Sequence, residues 1–250
     1  CNHSKYPVLM SFKVKLDSWG FKQYFLDKMK ILHQIFTIKE VPSVKWSSEL
    51  PLNMRPKLKT LLMLIVGLFL FGLGEAILIS SGLGVSPWTV LAQGLALNLE
   101  ISIGMATFIV SIVILVLWIP LKQTPGIGTV LNAIIIASAI DVTLPYLPVP
   151  EIFLLKLAQA CLGIMIVGIG SGIYLISNLG PGPRDGLMIG LQKKTNLSIP
   201  GIRTIIELTA VIGGWILGGI VGLGTVLLVI GIGPCVGLGL TLVKRISQNS

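Results

Sequence analysis

Chemistry is easiest to place in the string Gly180-Pro181-Gly182-Pro183-Arg184-Asp185-Gly186-Leu187. Its glycines and prolines fix a turn ahead of an amphipathic stretch. Pro183 suits a first helical turn, where its missing N–H costs nothing. Arg184 would then present a guanidinium near a helix N-terminus, and Asp185 would favour the positive end of the helix dipole. With Gly182 and Pro183 shaping the turn, the string reads as a substrate-binding elbow for an anion or a zwitterion, with Arg184 as the fork and Asp185 orienting it. The alternative is a cytoplasmic turn whose arginine enforces topology.

Four more ionisable residues fall in apolar runs: Glu75, Asp141, Arg203 and Glu207. A charge at the centre of a membrane helix costs at least about 2.5 kcal/mol, so such residues default to functional hypotheses. Glu75 is expected to be a cation or proton site, or else an outer-end residue reaching water or Lys156. Asp141 could join Asn132 in a polar strip. Arg203 and Glu207 stand at i,i+4 and can neutralise each other, which favours a structural pair. Gly126-Ile127-Gly128-Thr129 and Gly222-Leu223-Gly224-Thr225 each open an apolar run. Threonine can cap such N-termini and glycine allows close packing, and without the lysine of a Walker motif both read as structural.

Catalysis finds little support. His3 and His33, the only histidines, precede the apolar body. Asp141 and Asp185 are the only aspartates beyond residue 59 and are expected toward opposite faces, which disfavours a carboxylate dyad. Cys1, Cys161 and Cys235 form no CxxC or Cys/His spacing. No catalytic residue, no metal site and no cofactor is expected, and the chain is not read as an enzyme.

The elements that must position these residues follow from composition. Of 250 residues, 53% are apolar and 12% charged, and mean hydropathy is +0.90. The net charge of +9 is uneven: residues 1–59 hold eleven Lys/Arg against four Asp/Glu, and residues 60–250 only eight against six. So few charges cannot solvate a water-facing surface. That excludes a soluble enzyme, a disordered chain and a nucleic-acid binder for the main body. Six apolar runs are long enough to cross about 30 Å of hydrocarbon: 60–79, 102–121, 128–147, 153–176, 200–218 and 223–243. The connections 80–101 and 177–199 are apolar but broken by Gly and Pro. Each could hold a short helix lying in the interface or dipping into the bilayer. Lys and Arg of the short loops fall on one side when six spans are threaded alternately, which places both termini in the cytoplasm. Lys156 is the exception, near an outer end where it can snorkel.

The chain also resembles itself at an offset of 96. Gly67, Gly72 and Gly74 match Gly163, Gly168 and Gly170; Leu83-Gly84 and Pro87 match Leu179-Gly180 and Pro183; Ser102-Ile103 matches Ser198-Ile199; Gly126, Gly128 and Thr129 match Gly222, Gly224 and Thr225. Each unit holds three spans, an odd number, so the second must enter the membrane from the opposite side, as in many secondary transporters. The expected fold is an all-α polytopic membrane protein: six transmembrane helices as two inverted three-span repeats, 54–149 and 150–250, each with a short broken or interfacial helix. The matching place in the first unit, Ser86-Pro87-Trp88-Thr89, has no charge, so any site is asymmetric.

Residues 1–53 differ in kind. Phe21, Phe25, Met29, Leu32 and Phe36 recur at helical spacing beside lysines, which suits a basic amphipathic helix on an anionic leaflet. The chain begins with Cys, and Met54-Arg55-Pro56-Lys57 looks like a natural start, so residues 1–53 are also read as a fragment boundary or as an over-extension of the gene that is not native to the protein.

The string Asn178-Leu179-Gly180-Pro181-Gly182-Pro183-Arg184-Asp185-Gly186-Leu187-Met188 resembles the hallmark of the YczE/YyaS branch of the bacterial YitT-like membrane proteins. Leu83-Gly84 with Pro87-Trp88, and Pro125-Gly126-Ile127-Gly128-Thr129-Val130-Leu131-Asn132, are similar to its other motifs. The likeness covers roughly residues 58–245. One departure is Thr89, where the family pattern places an acidic residue after Pro-Trp, and this weakens a symmetric acidic site. The resemblance implies a multi-pass protein of the bacterial plasma membrane and supplies no substrate. The expected function is a secondary transporter or permease for a small solute. The alternative is a non-transport membrane partner that docks another protein through cytoplasmic loops carrying Lys193-Lys194. Expected partners are the lipid bilayer, a solute and, as an open assembly, a homo-oligomer; nucleic acid is not among them.

Overall fold

The computed structural model describes residues 41–195 and 197–248. All regular structure among them is helical. The amphipathic helix expected over Phe21–Phe36 lies outside the described residues. The helices are α1 (Leu58–Ser80), α2 (Pro87–Leu99), α3 (Ile103–Trp118), α4 (Ile127–Thr143), α5 (Phe153–Ser177), α6 (Pro183–Thr195), α7 (Ile199–Ile216) and α8 (Leu223–Gln248), with one turn of 3-10 helix at Leu144–Tyr146. Five are long and apolar enough to cross a membrane: α1, α4 with its 3-10 turn, α5, α7 and α8. α3 alone is short of that, because Pro120 disfavours helix at the residue before it and the helix ends at Trp118. α2 and α3, bent by 113° where Glu100 takes a φ of 55°, together make a sixth apolar element. The two broken connections of the sequence thus hold α2 and α6.

The centre of the bundle is the antiparallel crossing of α1 and α5. Without a hydrophobic force between helices in lipid, small residues that let backbones touch decide such contacts. A Cβ on Gly67 would stand 2.9 Å from the Gly170 carbonyl oxygen, and one on Gly74 would stand 2.7 Å from that of Gly163. The reverse contacts are equally close, at 2.7 Å and 2.8 Å. Leu64, Leu68, Phe71, Ile136, Ile140 and Val167 fill the core around this crossing.

Two loops seat on two helix N-termini. Leu83 O accepts from Gly224 N at 2.7 Å, at the start of α8, and Leu179 O accepts from Gly128 N at 2.7 Å, at the start of α4. Gly84 and Gly180 have φ of 106° and 115°, a region an L side chain rarely enters. A Cβ on Gly84 would also meet Gly222 N at 2.5 Å. The two Gly-x-Gly-Thr strings are therefore structural, as expected, but their threonines cap in a different sense. Thr129 and Thr225 each accept the N–H of the glycine three residues earlier, Gly126 and Gly222. Thr129 also donates to Pro181 O at 2.7 Å.

The segment before α1 packs against the bundle. Trp46 is 6% exposed and lies against Ile176 and Leu240. Its carbonyl accepts from the Thr60 hydroxyl. Ser48 N donates to Ser177 O at 3.1 Å, and Asn178 Nδ2 donates to Ser48 O at 2.9 Å, so the segment is tied to the loop that leads into α6. Truncating a buried Trp costs about 3–5 kcal/mol. Trp46→Ala is therefore expected to lower stability by about 3 kcal/mol, read as a lowered thermal midpoint of detergent-solubilised protein. An unchanged midpoint would mean that this segment contributes nothing to the bundle.

Candidate functional site

Phe71 lies on α1 midway between Gly67 and Gly74, at the centre of the crossing. The groups expected to carry chemistry gather around it. α2 and α6 begin there, each with a proline in its first turn, Pro87 and Pro183. Trp118 holds the start of α6 in place: its Nε1 donates to Pro183 O at 2.9 Å and its ring lies over Gly186, where no side chain would fit.

Glu75 is 2% exposed and does not reach water or Lys156 as an outer-end residue would. Its Oε2 accepts from Ser86 Oγ at 3.0 Å and from Thr89 Oγ1 at 2.8 Å. The carboxylate thus sits at the N-terminus of α2, where the helix dipole favours an anion. Arg184 comes from the start of α6, and its guanidinium carbon stands 5.2 Å from the centre of the Phe71 ring, a cation–π distance. Among the described residues this guanidinium makes no hydrogen bond and no ion pair within 4.0 Å. It is near enough to act electrostatically on Glu75. Asp185 does not orient it. Instead the Asp185 carboxylate accepts from the Tyr174 hydroxyl at 3.4 Å, and the Tyr174 ring meets the edge of Phe71 at 6.3 Å.

Two cavities meet at this point and share Phe71, Glu75, Ser86, Trp88 and Arg184. The larger, of about 580 Å³, runs between α7 and α8 and adds Asp185, Arg203 and Glu207. The smaller, of about 60 Å³, runs between α3 and α4 and adds Thr107, Ser111, Asn132 and Pro183. Their walls correspond by position. Thr107, Val110, Ser111, Asn132, Ile136 and Ile140 line the small one. Arg203, Ile206, Glu207, Leu228, Ile232 and Val236, each 96 residues further on, line the large one. The difference in volume follows from packing: α3 lies against α4, whereas α7 stands away from α8.

The expected site residues therefore divide. Glu75, Arg184, Asp185, Arg203 and Glu207 face one cavity. Gly182 is buried beside Asn132 and Asp185, and Pro183 lines the small cavity. Arg203 and Glu207 form the expected i,i+4 pair at 2.9 Å, with side chains 57% and 28% exposed. Asp141 stands apart. It accepts from Ser102 Oγ at 2.6 Å and from Gly104 N at 2.8 Å, so it caps α3 from α4 and forms no strip with Asn132. The sequence reading missed Ser86 and Thr89 as partners of Glu75, and it missed Phe71, Trp88 and Tyr174 as walls. The Ser86-Pro87-Trp88-Thr89 string carries no charge of its own, and its two hydroxyls serve a carboxylate from another helix.

Residues 58–240 match a family of unknown function, DUF6198. The chain belongs to this family. It is similar to other proteins along the same stretch. A protein of Haemophilus influenzae described as uncharacterized is 36% identical over 209 residues, covering 84% of this chain and 95% of that one. The uncharacterized membrane protein YczE of Bacillus subtilis is 31% identical over 163 residues, covering 64% and 76%. YyaS of the same organism is 27% identical over 169 residues, covering 66% and 84%. No solved structure matches the chain. These relatives, with the long apolar helices, make this DUF6198 member a multi-pass integral membrane protein of the YczE/YyaS group.

Proposed function

We propose that this protein is a secondary transporter that moves a small solute past Glu75 and Arg184 by alternating access. One observation carries the reading: two cavities with walls 96 residues apart meet at the same pair of ionisable residues, one narrow at about 60 Å³ and the other wide at about 580 Å³. The larger falls in the range of small-molecule pockets, about 300–1,000 Å³. Two inverted repeats of three spans account for this correspondence, since inverted units exchange their conformations as a transporter turns over. The paired glycine crossings and the paired loop seats support the same repeat. With both termini in the cytoplasm, α2 and α6 are half-helices whose N-termini aim at the bilayer midplane from opposite faces. The large cavity then faces inward and the small one is the narrowed outward path. No step of bond-breaking chemistry belongs to this reading.

The test is accessibility from each face. In a chain whose native cysteines are replaced, single cysteines at Thr204 and Val229 probe the large cavity, and at Thr107 and Ser111 the small one. An impermeant maleimide applied to inside-out vesicles is expected to label the first two rapidly. Applied to right-side-out vesicles, it is expected to label the last two at least tenfold more slowly. Labelling of all four from one face alone would reject alternating access and favour a docking role.

A further inference from the structure

Resting on that reading, we infer that the solute is a small zwitterion, with an anionic oxygen pair for Arg184 and an ammonium or similar cation for Glu75. The argument starts from what the cavity leaves unsatisfied. Arg203 and Glu207 satisfy each other at 2.9 Å. Asp185 has the Tyr174 hydroxyl. Arg184 has only the face of Phe71, with its five donors unused among the described residues. A guanidinium is a planar fork that matches a carboxylate or phosphate with two parallel bonds. Glu75 takes both of its hydroxyl bonds on Oε2, and no bond to the described residues falls on Oε1.

Glu75 and Arg184 are of opposite charge type, line the same two cavities, and are not in contact within 4.0 Å. A simple anion bound to Arg184 would face Glu75 unrelieved. A simple cation bound to Glu75 would face Arg184. Like charges brought together in a partly buried site repel more strongly than in bulk water. A molecule carrying both signs satisfies both residues and leaves the charge of the site unchanged. The rings of Phe71, Trp88 and Tyr174 supply an apolar wall for its body.

The experiment is a thermal-shift series on purified full-length protein in nanodiscs. The probes are the twenty common amino acids and glycine betaine, with matched pairs that lack one charge: 3-phenylpropionate and phenethylamine beside phenylalanine, propionate and ethylamine beside alanine. A zwitterion at about 100 times its dissociation constant is expected to raise the unfolding midpoint by roughly 5 °C or more. Its one-charge analogues are expected to bind at least tenfold more weakly. The shift is expected to vanish in Arg184→Ala and Glu75→Gln and to survive in Thr209→Ala, which lines neither cavity. Stabilisation by the anions alone, by the cations alone, or by no probe in a folded protein would overturn the zwitterion assignment. None of those results touches the accessibility pattern, which is measured without solute, so the transport reading stands or falls separately.

Discussion

Gly74→Leu is expected to abolish folded protein. A Cβ at this position would already stand 2.6 Å from Val167 N and 2.7 Å from Gly163 O, both backbone atoms of α5 that cannot turn aside as a side chain can. The three further carbons of leucine would have to separate α1 from α5 along the crossing that carries Leu68, Phe71 and Val167. Overpacking a core ordinarily costs about 1–3 kcal/mol because neighbours shift, and more where backbone must move. The yield of monodisperse protein in detergent is therefore expected to fall tenfold or more. Gly213→Ala, in α7, is the control. The nearest atom to a Cβ there outside its own helix turn is Leu91 Cδ1 at 3.8 Å, an ordinary contact, and alanine favours helix over glycine by about 1 kcal/mol. A folded Gly74→Leu protein would mean that α1 and α5 do not touch.

Asp141→Ala is expected to reverse which cavity is open. In the closed pair, the Asp141 carboxylate on α4 takes two bonds from the start of α3, and Gly104 lets the backbones approach. At the corresponding positions of the open pair stand Gly237 and Pro200, which offer no carboxylate and no N–H. Hydrogen bonds to a charged group contribute about 1.5–3 kcal/mol each. Losing two removes about 3 kcal/mol from the state in which α3 lies on α4, and each 1.4 kcal/mol is about tenfold in population. Labelling of a cysteine at Ser111 from outside is expected to rise between tenfold and a hundredfold, while labelling at Thr204 from inside falls. Unchanged rates at both positions would mean that Asp141 is only a helix cap.

Much of this architecture is legible in the sequence because lipid leaves the backbone few choices: apolar runs must be helices whose polar groups are satisfied within. The runs, the breaks at 80–101 and 177–199, and the glycines 96 apart could all be read directly. The end of α3 at Trp118 could not, since Ile119-Pro120-Leu121 carries the apolar run past it, nor could the run of α8 to Gln248, since that helix continues beyond Lys244-Arg245, where the apolar run stops. The site was legible as residue types but not as pairs. Arg184 and Asp185 are adjacent in sequence, which suggested that one serves the other. On a helix, neighbours point in different directions, and each side chain found its partner on α1 or α5. Glu75 is likewise served by hydroxyls 11 and 14 residues away across a loop, a separation with no periodic signature. Trp46 was unreadable for another reason. A single aromatic in a basic segment carries no pattern, and only the groove beside Ile176 and Leu240 explains it.

The crossed seating of the two loops constrains the order of biosynthesis. The N–H of Gly128 at the head of α4 waits for the carbonyl of Leu179, which leaves the ribosome 51 residues later. At about 5–20 residues per second the wait is roughly 3–10 s. During that interval this donor has no partner from the chain, and water at the membrane surface must meet it, as it meets the orphan N–H groups of other helix starts. The head of α8 needs no such wait, because Leu83 has been in place since early in synthesis. The first half of the chain can thus insert before the second, and the Leu179 loop takes the place of that water when it arrives.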